Sequence, residues 1–214
     1  MNNYALPKFI LHLLRYEGSC IPAEGETNEQ AFERCRQQAF ANDPNDPGGA
    51  TMMGITMPVF REWRQTFLKK PRPTVEDLQD ITYDEWAYLV ETVFWKMYSL
   101  HTVPYECVAI TVADNIFLSG RAGIREVQRA FGCEADGIVG PKTIGALRHR
   151  VNTRERARDI CQTILDNRIS RLHRLPRWNI YGSGWTNRTN AIAALFAELD
   201  LTEQERKKKK ENQE

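Results

Sequence analysis

Asn42-Asp43-Pro44-Asn45-Asp46-Pro47-Gly48-Gly49-Ala50-Thr51-Met52-Met53-Gly54-Ile55-Thr56 is the stretch on which the reading of this chain turns. Its two Asp-Pro steps and its Gly pair impose tight turns, because proline keeps the preceding residue out of the helical region and glycine tolerates positive φ. The stretch is therefore an ordered connection, not a helix, and it carries carboxylates and hydroxyls. Upstream, Ile10, Leu13, Leu14 and Glu17 follow the i, i+3, i+4, i+7 stripe of an amphipathic helix expected from about Pro7 to Tyr16. Glu17 thus continues the buried face. An acid at a helix end, facing a polar turn with a second acid, is the minimal equipment for splitting a glycosidic bond. One group protonates the leaving oxygen, and the other activates water or attacks.

Around this stretch the composition is that of a globular protein. The 214 residues suffice for one sizeable core or two small ones, with 42% hydrophobic and 27% charged residues. A net charge of +1 does not support global attraction to nucleic acid, and no nucleic-acid motif is present. Cys20, Cys35, Cys107, Cys133 and Cys161 include no C-x-x-C pair, and His12, His101, His149 and His173 are scattered. Neither a catalytic metal nor another cofactor is expected. Cys20 and Cys35 bracket a segment of about 15 residues and either form a disulfide in an oxidising compartment or remain free thiols. The apolar run Phe9 to Leu14 is too short and too charged for a secretory signal or a membrane helix.

Helical patterns dominate, and no alternating run is long enough for a large sheet. Helices are expected from Ala31 to Ala39, from Pro58 to about Lys69, after the capping residues Thr74 and Thr82, and from Val103-Pro104 through Phe117. Others follow over Arg121 to Phe131, Pro141 to Arg150, Arg154 to Leu175 and Thr189 to Leu199. Trp178 to Trp185 reads as an aromatic loop, and residues 202–214, with Lys207 to Lys210, as a disordered tail.

Glu17-Gly18, the Asn-Asp-Pro-Asn-Asp-Pro-Gly-Gly-Ala-Thr run and Gly54-Ile55-Thr56 together resemble the N-terminal signature of glycoside hydrolase family 108, lysozymes that cut the glycan strands of peptidoglycan. Asp136-Gly137-Ile138-Val139-Gly140-Pro141-Lys142-Thr143 is similar to a segment of that family's C-terminal peptidoglycan-binding region. The resemblance implies a mainly α, lysozyme-like fold of two packed lobes. A catalytic lobe is expected over residues 1–102, with an insertion at about 19–39, and a helical peptidoglycan-binding lobe over 103–201. It further implies Glu17 as general acid and Asp46 as second acid, with Asp43 as its substitute and Thr51 helping to place a water. Thr56, Asp114, Trp185 and Arg188 are the implied substrate contacts. For Asp114 the alternative is a buried acid satisfied by an Arg or a backbone donor, and for the Asp136 to Thr143 segment it is a turn capping the helix from Pro141.

The implied activity is hydrolysis of the β-1,4 bond between N-acetylmuramic acid and N-acetylglucosamine, used for lysis or as a cell-wall-degrading effector. The chain would be made in a bacterial or phage-infected cytoplasm and would act in the periplasm or wall. Its partners would be glycan strands and an immunity or secretion protein, with no nucleic acid and no membrane insertion. Three departures stand out: Ser19 replaces a family Gly, Met52 replaces a family Asn, and about twenty residues separate Glu17-Gly18 from the turn pattern. They leave a competing reading of a catalytically impaired peptidoglycan-binding or regulatory protein.

Overall fold

The computed structural model describes residues 5–43 and 49–211, with side chains through Phe196. The chain divides into two compact units, Leu6–Met97 and the segment from Tyr98 onward, which also takes in Ala5.

In the first unit, α1 (Ala5–Glu17) buries Leu6, Phe9, Leu13 and Leu14, and Phe9 stacks on Trp95 at 5.9 Å. The segment that separates Glu17 from the turn is ordered. It holds α2 (Asn28–Ala39), opened by a capping box in which Thr27 and Gln30 satisfy each other's backbone N–H. Phe32, fully buried, packs against Tyr83 and Trp86, while Arg36 donates to the carbonyls of Gln79 and Ile81. Arg34 forks onto both Glu26 oxygens at 2.8 Å. That fork, together with the Ala23 N–H, lowers the Glu26 pKa to about 2.

Cys20 and Cys35 form a disulfide with 5.9 Å between their Cα atoms. Closing a loop of this length is worth roughly 3 kcal/mol in the chain-entropy model. Reductant is therefore expected to lower the urea midpoint of the oxidised chain, and the Cys20→Ser/Cys35→Ser double variant to match the reduced protein. A variant as stable as the oxidised parent would show that the loop needs no staple.

Three short antiparallel strands follow, β1 (Phe40–Ala41), β2 (Thr51–Met52) and β3 (Ile55–Thr56), in the order β1-β2-β3. Helices α3 (Met57–Thr66), α4 (Val75–Gln79) and α5 (Tyr83–Leu89) begin at the residues expected to start them: Pro58 lies in the first turn of α3, and Thr74 and Thr82 cap α4 and α5. Beyond α5 the chain widens into a π-helical stretch, Val90–Lys96. Thr92 donates its hydroxyl to Tyr88 O at 2.7 Å and accepts from the Trp63 indole at 2.8 Å. A hydroxyl that bonds back to the preceding turn competes with the α-helical ladder there. Trp63, Trp86 and Trp95 are all buried, so these indoles serve the core.

The second unit is helical. A 3₁₀ turn (Leu100–Thr102) leads to α6 (Glu106–Ala130), α7 (Pro141–His149), α8 (Arg154–Leu172) and α9 (Trp178–Glu211). Helix α6 is two helices joined at Gly120 (φ 50°, ψ −128°), as the expected break between Phe117 and Arg121 implies. Its halves close on Gly123, where a Cβ would lie 2.1 Å from Asn115 O. By length and apolarity α6 could cross a bilayer, but it packs on α8 and α9 with Val108, Ile110, Val112 and Ile116 buried.

Two expectations for α9 change. The Trp178 to Trp185 stretch is its first turns and not a loop. Gly182 serves close packing there, since a Cβ would meet the Trp178 indole at 2.7 Å. The backbone from 202 to 211 continues the helix where a disordered tail was expected. Glu, Gln, Arg and Lys are strong helix formers, which is why a polar tail can extend a helix that already exists.

Candidate active site and the buried charge centre

Glu17 is the last residue of α1 and is half-buried. The helix ends there because Ser19 adopts φ 52°, turning the chain so that the N–H groups of Gly18 and Cys20 both close on Leu14 O at 3.1 and 3.0 Å. The family's Gly at this position suits the left-handed conformation, and Ser19 adopts it at a cost of about 1 kcal/mol. Gly18 packs against the β2–β3 turn: a Cβ on it would meet Met53 Sδ at 2.4 Å. Gln38, at the end of α2, donates to Gly18 O at 3.3 Å, and Met53 O accepts from the Trp86 indole at 3.2 Å. The backbone bearing Glu17 is thereby fixed to the small sheet.

The sheet sorts its side chains by the two-residue period of a strand. Met52 is paired with Phe40 and Ile55, and Met52 and Ile55 are buried. Thr51 is paired with Ala41 and Thr56, and both threonines are half-exposed on the opposite face. Thr51 and Thr56 are thus brought together directly across the β2–β3 pair. The Thr51 hydroxyl also reaches Gly49 O at 3.5 Å. Met52, where the family has Asn, is a core position of this sheet. Asp43 lies exposed just beyond β1. Asp46, the expected second acid, lies outside the described residues.

In the second unit, two of the expected substrate contacts are interior. Asp114 is fully buried and receives Arg168 Nη1 at 2.7 Å, Arg188 Nε at 3.0 Å and Arg188 Nη2 at 2.8 Å. Arg168 also donates Nε to Asn115 Oδ1 at 2.7 Å, and Asn115 Nδ2 donates to Gly123 O and Glu126 Oε2. Arg171 completes the network by binding Glu126 at 2.6 Å. Burial pulls the pKa of Arg168 down from its ordinary value, and Asp114 opposes that pull.

Asp114 and Arg188 therefore do not meet a polymer. They join α6, α8 and α9, which is the buried-acid alternative for Asp114 and a correction for Arg188. Arg168 was not among the expected site residues of the Arg154 to Leu175 helix, yet its signal was present: Ala157, Cys161, Ile164, Arg168 and Leu172 form one i, i+4, i+7 stripe, and all are buried.

Trp185 is half-buried on α9, against Trp178 and Tyr181. The Asp136 to Thr143 segment has the structure of a turn before α7. Gln128 donates to Asp136 Oδ1 and Ile138 O and accepts from Gly137 N–H, while Asp136 Oδ1 also accepts from Ile138 N–H. Those bonds, the Ile138 N–H first, lower the Asp136 pKa.

The family model Glycosyl hydrolase 108 matches residues 36–120, and the model Predicted Peptidoglycan domain matches residues 122–190. The first match begins within α2, so Glu17 stands ahead of it, beyond the disulfide-closed segment. Among solved structures, SagA from Brucella abortus is similar, at 23% identity over 83% of this chain and 97% of that chain, with a TM-score of 0.61. That likeness concerns the fold. No curated protein sequence matches the chain. The chain thus carries a glycoside hydrolase 108 region followed by a peptidoglycan domain, and is a mainly α, lysozyme-type glycoside hydrolase of the cell wall.

Proposed function

We propose that the chain is a muramidase, hydrolysing the β-1,4 bond from N-acetylmuramic acid to N-acetylglucosamine. Glu17 protonates the glycosidic oxygen, and an acid of the β1–β2 connection, Asp46 or else Asp43, activates water or steadies the oxocarbenium-like transition state. Thr51 holds the water, and Thr56 borders the bound sugar. The observation that carries this reading is the attachment of the Glu17 helix end to the sheet through Gly18 and Met53, with Thr51 and Thr56 side by side on the half-exposed face. A water held by a hydroxyl favours inversion, in which the two carboxyl groups stand about 6.5–9.5 Å apart.

We propose further that the chain acts in the periplasm or wall, for lysis or as an effector. The Cys20–Cys35 disulfide supports an oxidising destination.

Digestion of purified sacculi, followed by borohydride reduction and end-group analysis, tests the bond. Muramidase action is expected to yield muramitol. Glucosaminitol, or anhydromuramic ends, would replace this reading with a different cleavage.

A further inference from the structure

We propose that the first turns of α9 form a glycan-gripping surface: Trp178, Tyr181 and Trp185 stack on sugar faces, and Arg174 and Arg177 meet the acidic stem peptides of the same peptidoglycan strand. The proposal rests on the peptidoglycan reading above.

The spacing of Trp178, Tyr181 and Trp185 puts the rings on one side of the helix. Trp185 lies 6.2 Å from Trp178 and 5.7 Å from Tyr181, ring centre to ring centre, and Trp178 is braced by His173 at 4.8 Å. Gly182 lets the Trp178 indole lie against the helix backbone, which orders the ring before any ligand arrives. Farther along α9, Arg188, Thr189 and Ile192 are buried, so the same side of the helix leaves the core near Trp185. Beyond that point Tyr181 is 46% exposed and Ile180 is 68% exposed. Aromatic rings grouped at a surface mark contact sites more often than isolated exposed apolar residues do.

Charge selects the occupant. Residues 167–197 contain five Arg and one His, but no Asp or Glu. Arg168 and Arg188 are spent on Asp114, and Arg171 on Glu126. Arg174 and Arg177 are exposed and make no ion pair among the described residues. A peptidoglycan strand offers both complements. The C–H faces of its pyranose rings match the negative faces of aromatic rings, and its stem peptides carry carboxylates for guanidinium groups.

The test measures binding of the full chain, carrying Glu17→Gln to prevent digestion, to purified sacculi and to glycan strands stripped of stem peptides. Tyr181→Ala is expected to weaken binding to both by about tenfold, while Tyr181→Phe stays within about twofold. Arg177→Gln is expected to weaken binding to sacculi only, and its effect should shrink as salt is raised. Thermal melts of all three variants should match the parent, since both side chains are exposed. Unchanged affinity in Tyr181→Ala and Arg177→Gln, with a parent that binds, overturns the surface alone. A parent that binds neither preparation overturns it together with the peptidoglycan reading.

Discussion

Glu17→Gln is expected to cut release of reducing sugar from sacculi by on the order of 10²–10⁴ in kcat, with circular dichroism and sacculus binding unchanged. The substitution keeps the size of the side chain and removes the proton that the leaving oxygen must receive. Its surroundings argue against a structural side effect. The helix end is fixed by backbone groups, Gly18 and Cys20 N–H on Leu14 O, and by Gly18 packed on Met53. Glu17 itself is only half-buried. A loss of kcat without loss of binding would identify an interaction made in the transition state. Full turnover in the variant would remove Glu17 from the chemistry. Of the turn acids, Asp46→Asn is expected to be severely impaired and Asp43→Asn less so; the reverse order would make Asp43 the partner of Glu17.

What the sequence disclosed follows from how local each signal is. Helix starts at Thr74 and Thr82, the break in α6 near Gly120, and the end of α1 at Glu17 depend on a few neighbouring residues, and those were legible. The strands were not, because segments of two residues carry no period and exist only through their pairing. Two kinds of side chain were misjudged for a common reason. Glycines 182 and 184 beside aromatic residues look like a loop, but Gly182 accommodates the Trp178 ring inside a helix. Arg188 looks like a polymer contact, but a distant acid, Asp114, claims it across 74 positions of chain. In both cases a long-range partner decided the role of a residue whose local pattern pointed elsewhere. The insertion is a third instance: its helix over Ala31 to Ala39 was legible but its anchor was not, since Phe32 is held by Tyr83 and Trp86, far along the chain.

Asp114→Ala is expected to destabilise the chain by about 3–5 kcal/mol, because it leaves two guanidinium groups in the interior without their counter-charge. Arg168 is fully buried and Arg188 only 4% exposed, so water cannot replace the lost carboxylate without opening the contact between α6, α8 and α9. Burial already lowers the Arg168 pKa in the intact protein, and among the described residues its Nη2 has no hydrogen-bond partner. Glu126 lends Arg168 some counter-charge, but it is already bound by Arg171 and Asn115, so it offsets only part of the loss. Urea unfolding followed by circular dichroism should show the loss directly, and such a loss is a large fraction of the 5–15 kcal/mol that holds a typical protein folded. The triple variant Asp114→Leu/Arg168→Met/Arg188→Met separates charge from packing. With no stranded charge left, it should recover much of the stability, as apolar replacements of whole buried ion networks tend to do. If the triple variant proved as unstable as Asp114→Ala, the penalty would come from lost space-filling and hydrogen bonds to Asn115. If Asp114→Ala stayed folded with native stability and lost only sacculus binding, Asp114 would have to be reached by ligand, against the burial described above.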